Sequence, residues 1–205
     1  MKLRKPLYAL LLTIYIKIVE SKPTLANKIY NIRKFLQTRH AIWTYATTSG
    51  SQCLCQADVT YYIDEREIFY LHYFLSQGQT KKRVSMKGRF LKKNVVYVRS
   101  HGSQNVVKHK IVYFDKQLNC AVVKVASMIS PGGHIEKIDL RVWNTSNVAS
   151  SAQPCLPVFQ RWSSTPAHII YKSMCQKELA KGQSSQDQDV EGRINPRDFV
   201  CRNYG

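Results

Sequence analysis

The sequence predicts a mainly β protein: an eight-stranded antiparallel up-and-down barrel with an N-terminal helix and a short C-terminal helix. Three observations support this fold. Eight segments either alternate apolar with polar residues or are rich in β-branched and aromatic residues, as strands are. Turn signals containing Gly, Ser, Asp or Pro separate them, and no helical pattern lies between them. An antiparallel meander of this kind can close into a barrel whose interior holds one small ligand.

The elements follow in order along the chain. A helix is predicted over residues 24–38, because Thr24 can cap it and apolar residues recur at helical spacing after it. Strands are predicted at residues 42–48, 59–63, 67–75, 84–90, 95–99, 106–114, 120–128 and 135–143. Apolar residues at 156, 159 and 162 then predict a short helix after Pro154, and residues 167–171 predict one further strand.

The N-terminus has the pattern of a secretory signal peptide. Basic residues at 2, 4 and 5 precede an apolar run over 7–16, which is too short to span a membrane but suits a signal sequence. We predict cleavage after Ser21, with Ala26 as the second choice. The domain organisation is therefore a signal peptide at 1–21, one barrel domain at 22–176 and a polar, flexible tail at 177–205, and the protein is expected to be secreted.

Charge is the unusual feature of the composition. The 205 residues include 31 Lys and Arg but 13 Asp and Glu, which gives a net charge of +18. A hydrophobic content of 44% excludes general disorder, collagen and a multi-span membrane protein. The basic balance indicates an anionic partner, an anionic ligand or only high solubility.

The chain has six cysteines, at 53, 55, 120, 155, 175 and 201. An even number in a secreted chain predicts three disulfides, and spacing alone leaves all 15 pairings open. Cys53 and Cys55 are not expected to pair with each other on a strand. No metal site is expected, because there is no Cys-x-x-Cys pair and no His near a Cys. Asn144 begins a glycosylation sequon.

Several short stretches, taken in order, resemble one known family. They are Ile-Trp-Thr-Tyr at 42–45, Cys-Gln-Ala-Asp-Val at 55–59, Leu-Asn-Cys-Ala-Val at 118–122, Asp-Leu-Arg-Val-Trp-Asn at 139–144, Pro-Cys-Leu at 154–156 and Ser-Met-Cys-Gln at 173–176. The chain resembles the tick salivary lipocalins of the histamine-binding-protein family. That resemblance implies a lipocalin barrel and the disulfides Cys120–Cys155 and Cys55–Cys175, which leaves Cys53 to pair with Cys201.

The resemblance also implies a function: capture of a small host inflammatory mediator, such as histamine, serotonin, a leukotriene, thromboxane or a fatty acid. The spacing of the family's amine-binding pattern is kept here, but several of its residues are replaced. Asp139 keeps a carboxylate, whereas Ala121 and Arg141 stand where the pattern has an acid and an aromatic residue, and Lys82 and His109 stand at two further acid positions. Asp139 could equally lie on the surface or pair with Arg141.

A lipid mediator fits these residues better than an amine does. Its carboxylate would be attracted to a basic barrel mouth, with Lys82, Arg83 and Arg89 as candidate partners. Its tail would lie along aromatic walls, although the same rings could be ordinary β core. The wall candidates are Trp43, Tyr45, Tyr62, Phe69, Tyr73, Phe90, Tyr97 and Tyr113.

A basic surface is the alternative functional site. Residues 81–93 contain seven Lys and Arg and no acid, with Arg83, Lys87 and Arg89 on one face of a strand and Lys108 and Lys110 on one face of a possible neighbour. Such a surface could bind heparan sulfate, another polyanion or a host protein.

No motif indicates an enzyme, a cofactor or a nucleic-acid-binding module. We therefore expect a binding protein that acts as a monomer, with no cofactor and no nucleic-acid or membrane partner.

Overall fold

Eight antiparallel strands close into a barrel in the computed structural model, which describes residues 28–50, 53–76, 80–128 and 136–181. This confirms the predicted fold class. The strands of the sheet are β1 (Ile42–Thr47), β2 (Leu54–Ile63), β3 (Glu67–Leu75), β4 (Lys81–Lys92), β5 (Val95–Ser100), β6 (Val107–Asp115), β7 (Cys120–Ser127), β8 (Glu136–Trp143) and the short β9 (His168–Ile169).

Each strand from β2 to β8 pairs with its sequence neighbour, and β8 returns to pair with β1. The other edge of β1 is shared. Its first residues pair with β2, with Ile42 opposite Asp58, and its last residues pair with β9, with Ala46 opposite Ile169. The β1–β2 pairing closes the barrel, and β9 pairs with the part of the β1 edge that β2 does not reach.

Two strands are longer than the alternation predicted. β2 begins at Leu54, and β4 extends over the basic residues at both of its ends. Backbone pairing continues there regardless of side-chain type, since Lys81 pairs with Leu75 and Lys92 with Val95. Alternation of apolar and polar residues therefore underestimates a strand whose ends are exposed.

The predicted N-terminal helix is shorter than expected. α1 spans Ile32–Leu36, and residues 28–31 are not helical. Asn31 caps it, because its side chain accepts a hydrogen bond from the Lys34 amide at 3.3 Å and so starts the helix there. The predicted cap Thr24 and the signal peptide at 1–21 lie outside the described residues.

Three helices follow the barrel. α2 (Val148–Ala152) was not predicted, and it leads through a 3-10 turn into the predicted helix, α3 (Leu156–Trp162). α4 (Cys175–Ala180) corrects the predicted tail at 177–205, because the tail's first residues are helical. Cys175 is bonded to Cys55 and Leu179 packs against buried residues, which anchors this helix. Residues 182–205 lie outside the described part.

Two apolar clusters form the core. The interior cluster fills the barrel and includes Phe35, Ile68, Val96 and Ile111. The outer cluster lies between the barrel wall and helices α2–α4, and it includes Trp43, Leu140, Val142, Cys155 and Phe159. The wall formed by β1, β2, β7 and β8 is therefore buried on both faces.

Both disulfides that the resemblance implies are present. Cys55 is bonded to Cys175 and Cys120 to Cys155. They hold the C-terminal segment against the barrel. Cys53 is also disulfide-bonded, and its predicted partner Cys201 lies outside the described residues. In the part of the chain that is described, no helix is long and apolar enough to cross a membrane.

Candidate functional site in the barrel interior

Strand registers show which side chains point into the barrel, because residues directly opposite on antiparallel strands share a face. Gly88 marks the interior face of β4. A Cβ added there would lie 2.7 Å from Ile68 Cγ2 and 2.9 Å from Val98 Cγ1, the residues opposite it on β3 and β5. By the same alternation, β8 directs three charged side chains inward: Lys137, Asp139 and Arg141.

Arg141 bridges two buried carboxylates. Its Nη1 donates to Asp58 Oδ2 at 3.0 Å, and its Nη2 donates to Asp139 Oδ2 at 3.1 Å. Asp58 reaches this position from β2, and His72 on β3 lies next to it, with Nδ1 2.6 Å from Asp58 Oδ1. The guanidinium thus connects β8 with β2, the two strands that flank β1.

Asp139 has further partners on its other oxygen. Thr47 Oγ1 donates to Asp139 Oδ1 at 2.8 Å, and Lys137 Nζ lies 3.5 Å from the same atom. The Asp139 side chain is 1% exposed, whereas that of Lys137 is 23% exposed. Lys137 therefore connects the buried charges to the solvent at the nearer end of the barrel. We call Asp58, His72, Lys137, Asp139 and Arg141 the buried network.

Both carboxylates of the buried network are held ionised. Burial by itself would raise the pKa of Asp58, but the hydrogen bond and charge of His72 and the charge of Arg141 lower it. Burial likewise opposes ionisation of Asp139, and the charges of Lys137 and Arg141 outweigh it and lower its pKa. The two carboxylates in turn raise the pKa of Arg141 against the opposing effect of burial.

His109 on β6 faces the network but stays neutral. Burial and the charge of Arg141 lower the pKa of His109 to about 3, against the attraction of Asp58 and Asp139. Tyr70 on β3 also faces the network, and burial together with the charge of Asp58 raises the pKa of its hydroxyl. His109 and Tyr70 are therefore both uncharged near neutral pH.

The space around the buried network is small. Asp58, Tyr70, His109 and Arg141 border a cavity of about 10 Å³, the volume that one water molecule needs. Arg141 Nε is buried there without a hydrogen-bond partner. Side chains thus fill the interior that the sequence predicted to hold a ligand, and a ligand has to displace some of them.

The two ends of the barrel differ. At one end α1 covers the interior. Two hydrogen bonds hold it there: Trp143 Nε1 donates to the Phe35 carbonyl at 3.0 Å, and the Ile32 amide donates to the Lys93 carbonyl. At the opposite end β8 and β4 begin, with Lys137 and the exposed Lys82 on their inward-facing positions. No helix among the described residues covers this second end, which we call the open end, and it carries cations.

Three of the predicted ligand-binding residues lie on inward-facing positions. Asp139 lies in the buried network and pairs with Arg141, one of the two alternatives considered for it. Lys82 lies at the rim of the open end. Phe90 packs against the interior cluster near the closed end. Because these three are at the centre and at opposite ends of the barrel, the structure does not bring them together.

The other predicted wall residues lie on the outer face, and the structure does not place them in the interior. Trp43, Tyr45 and Tyr113 belong to the outer cluster or pack against it. Tyr62, 49% exposed, contacts Phe69 on the surface. Tyr73 lies opposite Arg83, and Tyr97 lies opposite Arg89, on the outer face of the sheet. The carboxylate candidates Arg83 and Arg89 therefore also point outward. Aromatic character alone did not distinguish the two faces.

Sequence reasoning did not assign a site role to Asp58, His72 or Lys137. A weak signal for Asp58 was present: an acid within a strand, in phase with inward Thr60 and opposite inward Ile42. Its partner Arg141 is 83 positions away in the sequence, so the pairing becomes visible only when the barrel closes and places β2 and β8 on either side of β1.

The sequon asparagine is partly buried. Asn144 Oδ1 accepts hydrogen bonds from Trp43 Nε1 at 2.9 Å and from Gln176 Nε2 at 2.8 Å. Glycosylation at Asn144 stays a prediction. For metal ions, a search of the described residues finds no group of three or more His, Cys, Asp or Glu that could hold one.

Comparison with solved structures finds the same architecture in other proteins. Apocrustacyanin C1 matches with a TM-score of 0.54 and 13% identity, over 80% of this chain and 88% of that one. Apocrustacyanin C2 matches with a TM-score of 0.54 and 12% identity, over 78% and 87%. Lobster apocrustacyanin A1 matches with a TM-score of 0.50 and 12% identity, over 76% and 83%.

Neither the protein-family models nor the curated proteins include a match to this sequence. At 12–13% identity the structural matches establish the fold alone. On the strength of the closed eight-stranded meander and these matches, the chain has the lipocalin fold.

Proposed function

We propose that this protein is a secreted lipocalin that binds a small amphipathic molecule with an acidic head group at the open end of its barrel. The observation that supports this most is the charge balance of the buried network. Its own cations, Arg141 and Lys137, already balance both carboxylates, and the partly exposed Lys137 lies toward the open end. Binding, rather than catalysis, would be the whole activity.

An amine ligand fits this interior poorly. A buried ammonium needs carboxylate acceptors, and the two available carboxylates already accept from His72, Thr47 and both terminal nitrogens of Arg141. An entering cation would also lie close to Arg141 and Lys137. Histamine, the ligand that the resemblance to tick salivary proteins implies, would therefore have to displace the protein's own guanidinium.

An acidic head group meets complementary charge instead. Lys137 is partly exposed above the network, and Lys82 lies exposed at the rim of the same end. Val84 and Phe74, half-buried on inward-facing positions next to Lys82 and opposite it, provide apolar surface for a tail. Movement of these rim side chains would admit the ligand, because the cavity that the described residues border at the buried network holds only about 10 Å³.

The proposal also includes secretion and a biological role. Two disulfides, a bonded Cys53 and no free cysteine among the described residues suit an oxidising compartment, and the predicted signal peptide would direct the chain to one. The resemblance to tick salivary lipocalins makes a host lipid mediator, such as a leukotriene or a fatty acid, the preferred ligand. Such a protein would suppress the host response by stoichiometric capture.

Calorimetric titration of the oxidised protein tests the head-group preference. We expect arachidonic acid to bind at least tenfold more tightly than its methyl ester, and histamine not to bind. Lys137→Met is expected to weaken binding of the acid by about tenfold, equivalent to ~1.4 kcal/mol, and to leave the ester unchanged.

Lys110→Met is the matched control, because Lys110 is an exposed lysine on an outward-facing position of β6. It should alter neither titration. Tight histamine binding, or an equal loss of acid and ester affinity in Lys137→Met, would reject the acidic-head proposal.

A further inference from the structure

Five cations project from the outer face of three consecutive strands, and we call them the basic face: Lys87 and Arg89 on β4, Arg99 on β5, and Lys108 and Lys110 on β6. Their outward direction follows from their neighbours, since Gly88, Val98 and His109 point inward between them. The face is separate from the barrel interior and from the surface that helices α2–α4 cover.

The registers place these cations side by side. Lys87 lies directly opposite Arg99, and Arg89, Tyr97 and Lys108 form one row across the three strands. Neighbouring strands are about 4.8 Å apart and alternate residues on one strand about 6.8 Å apart, so the cations form a block roughly 10 Å across. From the sequence, β6 was considered a possible neighbour of β4. In the structure β5 lies between them, and Arg99 fills the gap with another positive charge.

Almost no acid balances this block. Lys87 forms an ion pair with Glu67, at 2.9 Å from Nζ to Oε1. Arg89, Arg99, Lys108 and Lys110 form no ion pair within the described part of the chain. Like charges directly opposite each other on a sheet are unfavourable. The strands need only polar residues at these positions, so the fold does not explain the charges.

The chemistry of the block selects among polyanions. A strand of nucleic acid binds through a positive groove interleaved with several stacking rings. Here Tyr97 is the one aromatic side chain in the rows of the block, and Phe69 of β3 lies at its edge with its ring 5.0 Å from Lys87 Nζ. A membrane surface requires apolar side chains that insert beside the cations, whereas the apolar residue opposite Lys110, Val95, is only 4% exposed. A linear chain carrying repeated sulfate groups requires only closely spaced, exposed donors.

We propose that the basic face binds a sulfated polysaccharide of the heparan sulfate class. Arg89, Arg99 and Lys108 form its centre, and the hydroxyl of Tyr97 lies among them as a neutral donor. Bound sulfates relieve the repulsion between the paired cations. The site is independent of the proposed ligand at the open end, so one molecule can carry a mediator while held on a polysaccharide.

The test is binding of the full, oxidised protein to a heparin oligosaccharide at several salt concentrations. In the variant R89Q/R99Q/K108Q we expect affinity at 150 mM salt to fall at least tenfold. We also expect the slope of log K against log salt concentration to become shallower by two to three units, about one for each removed contact. Arachidonic acid binding should not change, which separates this site from the open end.

The control variant K172Q/K177Q/K181Q removes the same charge from exposed lysines outside the basic face. It should weaken heparin binding by less than twofold. Equal losses in the two variants would mean that net charge alone attracts the polysaccharide, and the proposal would be wrong. It would also be overturned if single-stranded DNA or anionic vesicles bound more tightly than heparin, or if desulfated heparin bound as well as heparin.

Discussion

The buried network and the basic face treat charge in opposite ways. Inside the barrel, Asp58 and Asp139 are matched by Arg141 and Lys137, and each carboxylate oxygen has a partner within 3.5 Å. On the outer face, five cations share one carboxylate. The same residue types are balanced inside the barrel and left unbalanced on its outer face.

Solvent accounts for the difference. A charge removed from water costs several kcal/mol unless a partner replaces its hydration, so the interior can hold charges only in a nearly neutral set. Exposed charges keep their water and are screened by salt, so an excess of one sign is tolerated there. Balance is thus a condition of folding inside the barrel, whereas outside it the charge is free to serve recognition.

Breaking the interior balance should have the largest effect. Arg141→Met leaves two ionised carboxylates buried without their shared partner, and we expect the free energy of unfolding to fall by about 3–5 kcal/mol. Arg99→Met on the basic face should change it by no more than about 0.5 kcal/mol. Urea unfolding of the oxidised proteins measures both.

If Arg141→Met does not fold, the triple variant D58N/D139N/R141M provides the second test. It removes all three charges together and should recover most of the lost stability, because replacing a whole buried charge set is often neutral. A triple variant less stable than Arg141→Met would contradict the balance argument.

Lowering the pH should have the second-largest effect on the stability of the interior. The pKa of His109 is about 3 in the folded protein and ~6.5 when unfolded. Below pH 6.5 the unfolded chain therefore binds a proton that the folded chain does not, and stability falls as pH falls. The loss between pH 7 and pH 5 should be about 2 kcal/mol.

His109→Leu should flatten this part of the profile, whereas His40→Leu, at an exposed position, should not. A second loss is expected below about pH 3.8, where Asp58 and Asp139, whose pKa values are lowered by folding, become protonated in the unfolded state first. An unchanged slope above pH 4 in His109→Leu would show that another group causes it.

Relieving the outer imbalance should have the smallest effect and the opposite sign. Arg99→Gln removes a charge directly opposite Lys87, so we expect a gain of about 0.2–1 kcal/mol at low salt that vanishes near 1 M salt. Arg33→Gln is the comparison, because Arg33 has an acidic neighbour, Glu65, at 3.9 Å. It should give no gain, and a salt-independent effect of Arg99→Gln would argue against repulsion.

The sequence predicted the strands well because alternation and turn residues act locally. β3 was predicted with its correct bounds, 67–75. Alternation shows which residues share a face but not which face is inside. Trp43 and Tyr45 were assigned to the cavity because large rings are usually buried, and they are buried, but under α2–α4 on the outer side.

The site was harder to predict than the fold because its contacts are between residues far apart in the sequence. Asp139 was identified from its place in a family pattern, and its pairing with Arg141 needed only a two-residue separation on β8. Asp58 and His72 depend on where β2 and β3 lie relative to β8, which no local pattern contains. The cavity itself depends on side-chain volumes around the whole barrel.

The shared edge of β1 has a consequence for the order in which the chain can be completed during synthesis. The first residues of β1 pair with β2, which emerges soon after it, but the edge at Ala46 and Thr47 waits for β9 near the far end of the described chain. Until then an unpaired strand edge is open to strands of other molecules. Oxidation of Cys55 and Cys175, which brings the segment after β9 to the start of β2, would close that interval of vulnerability.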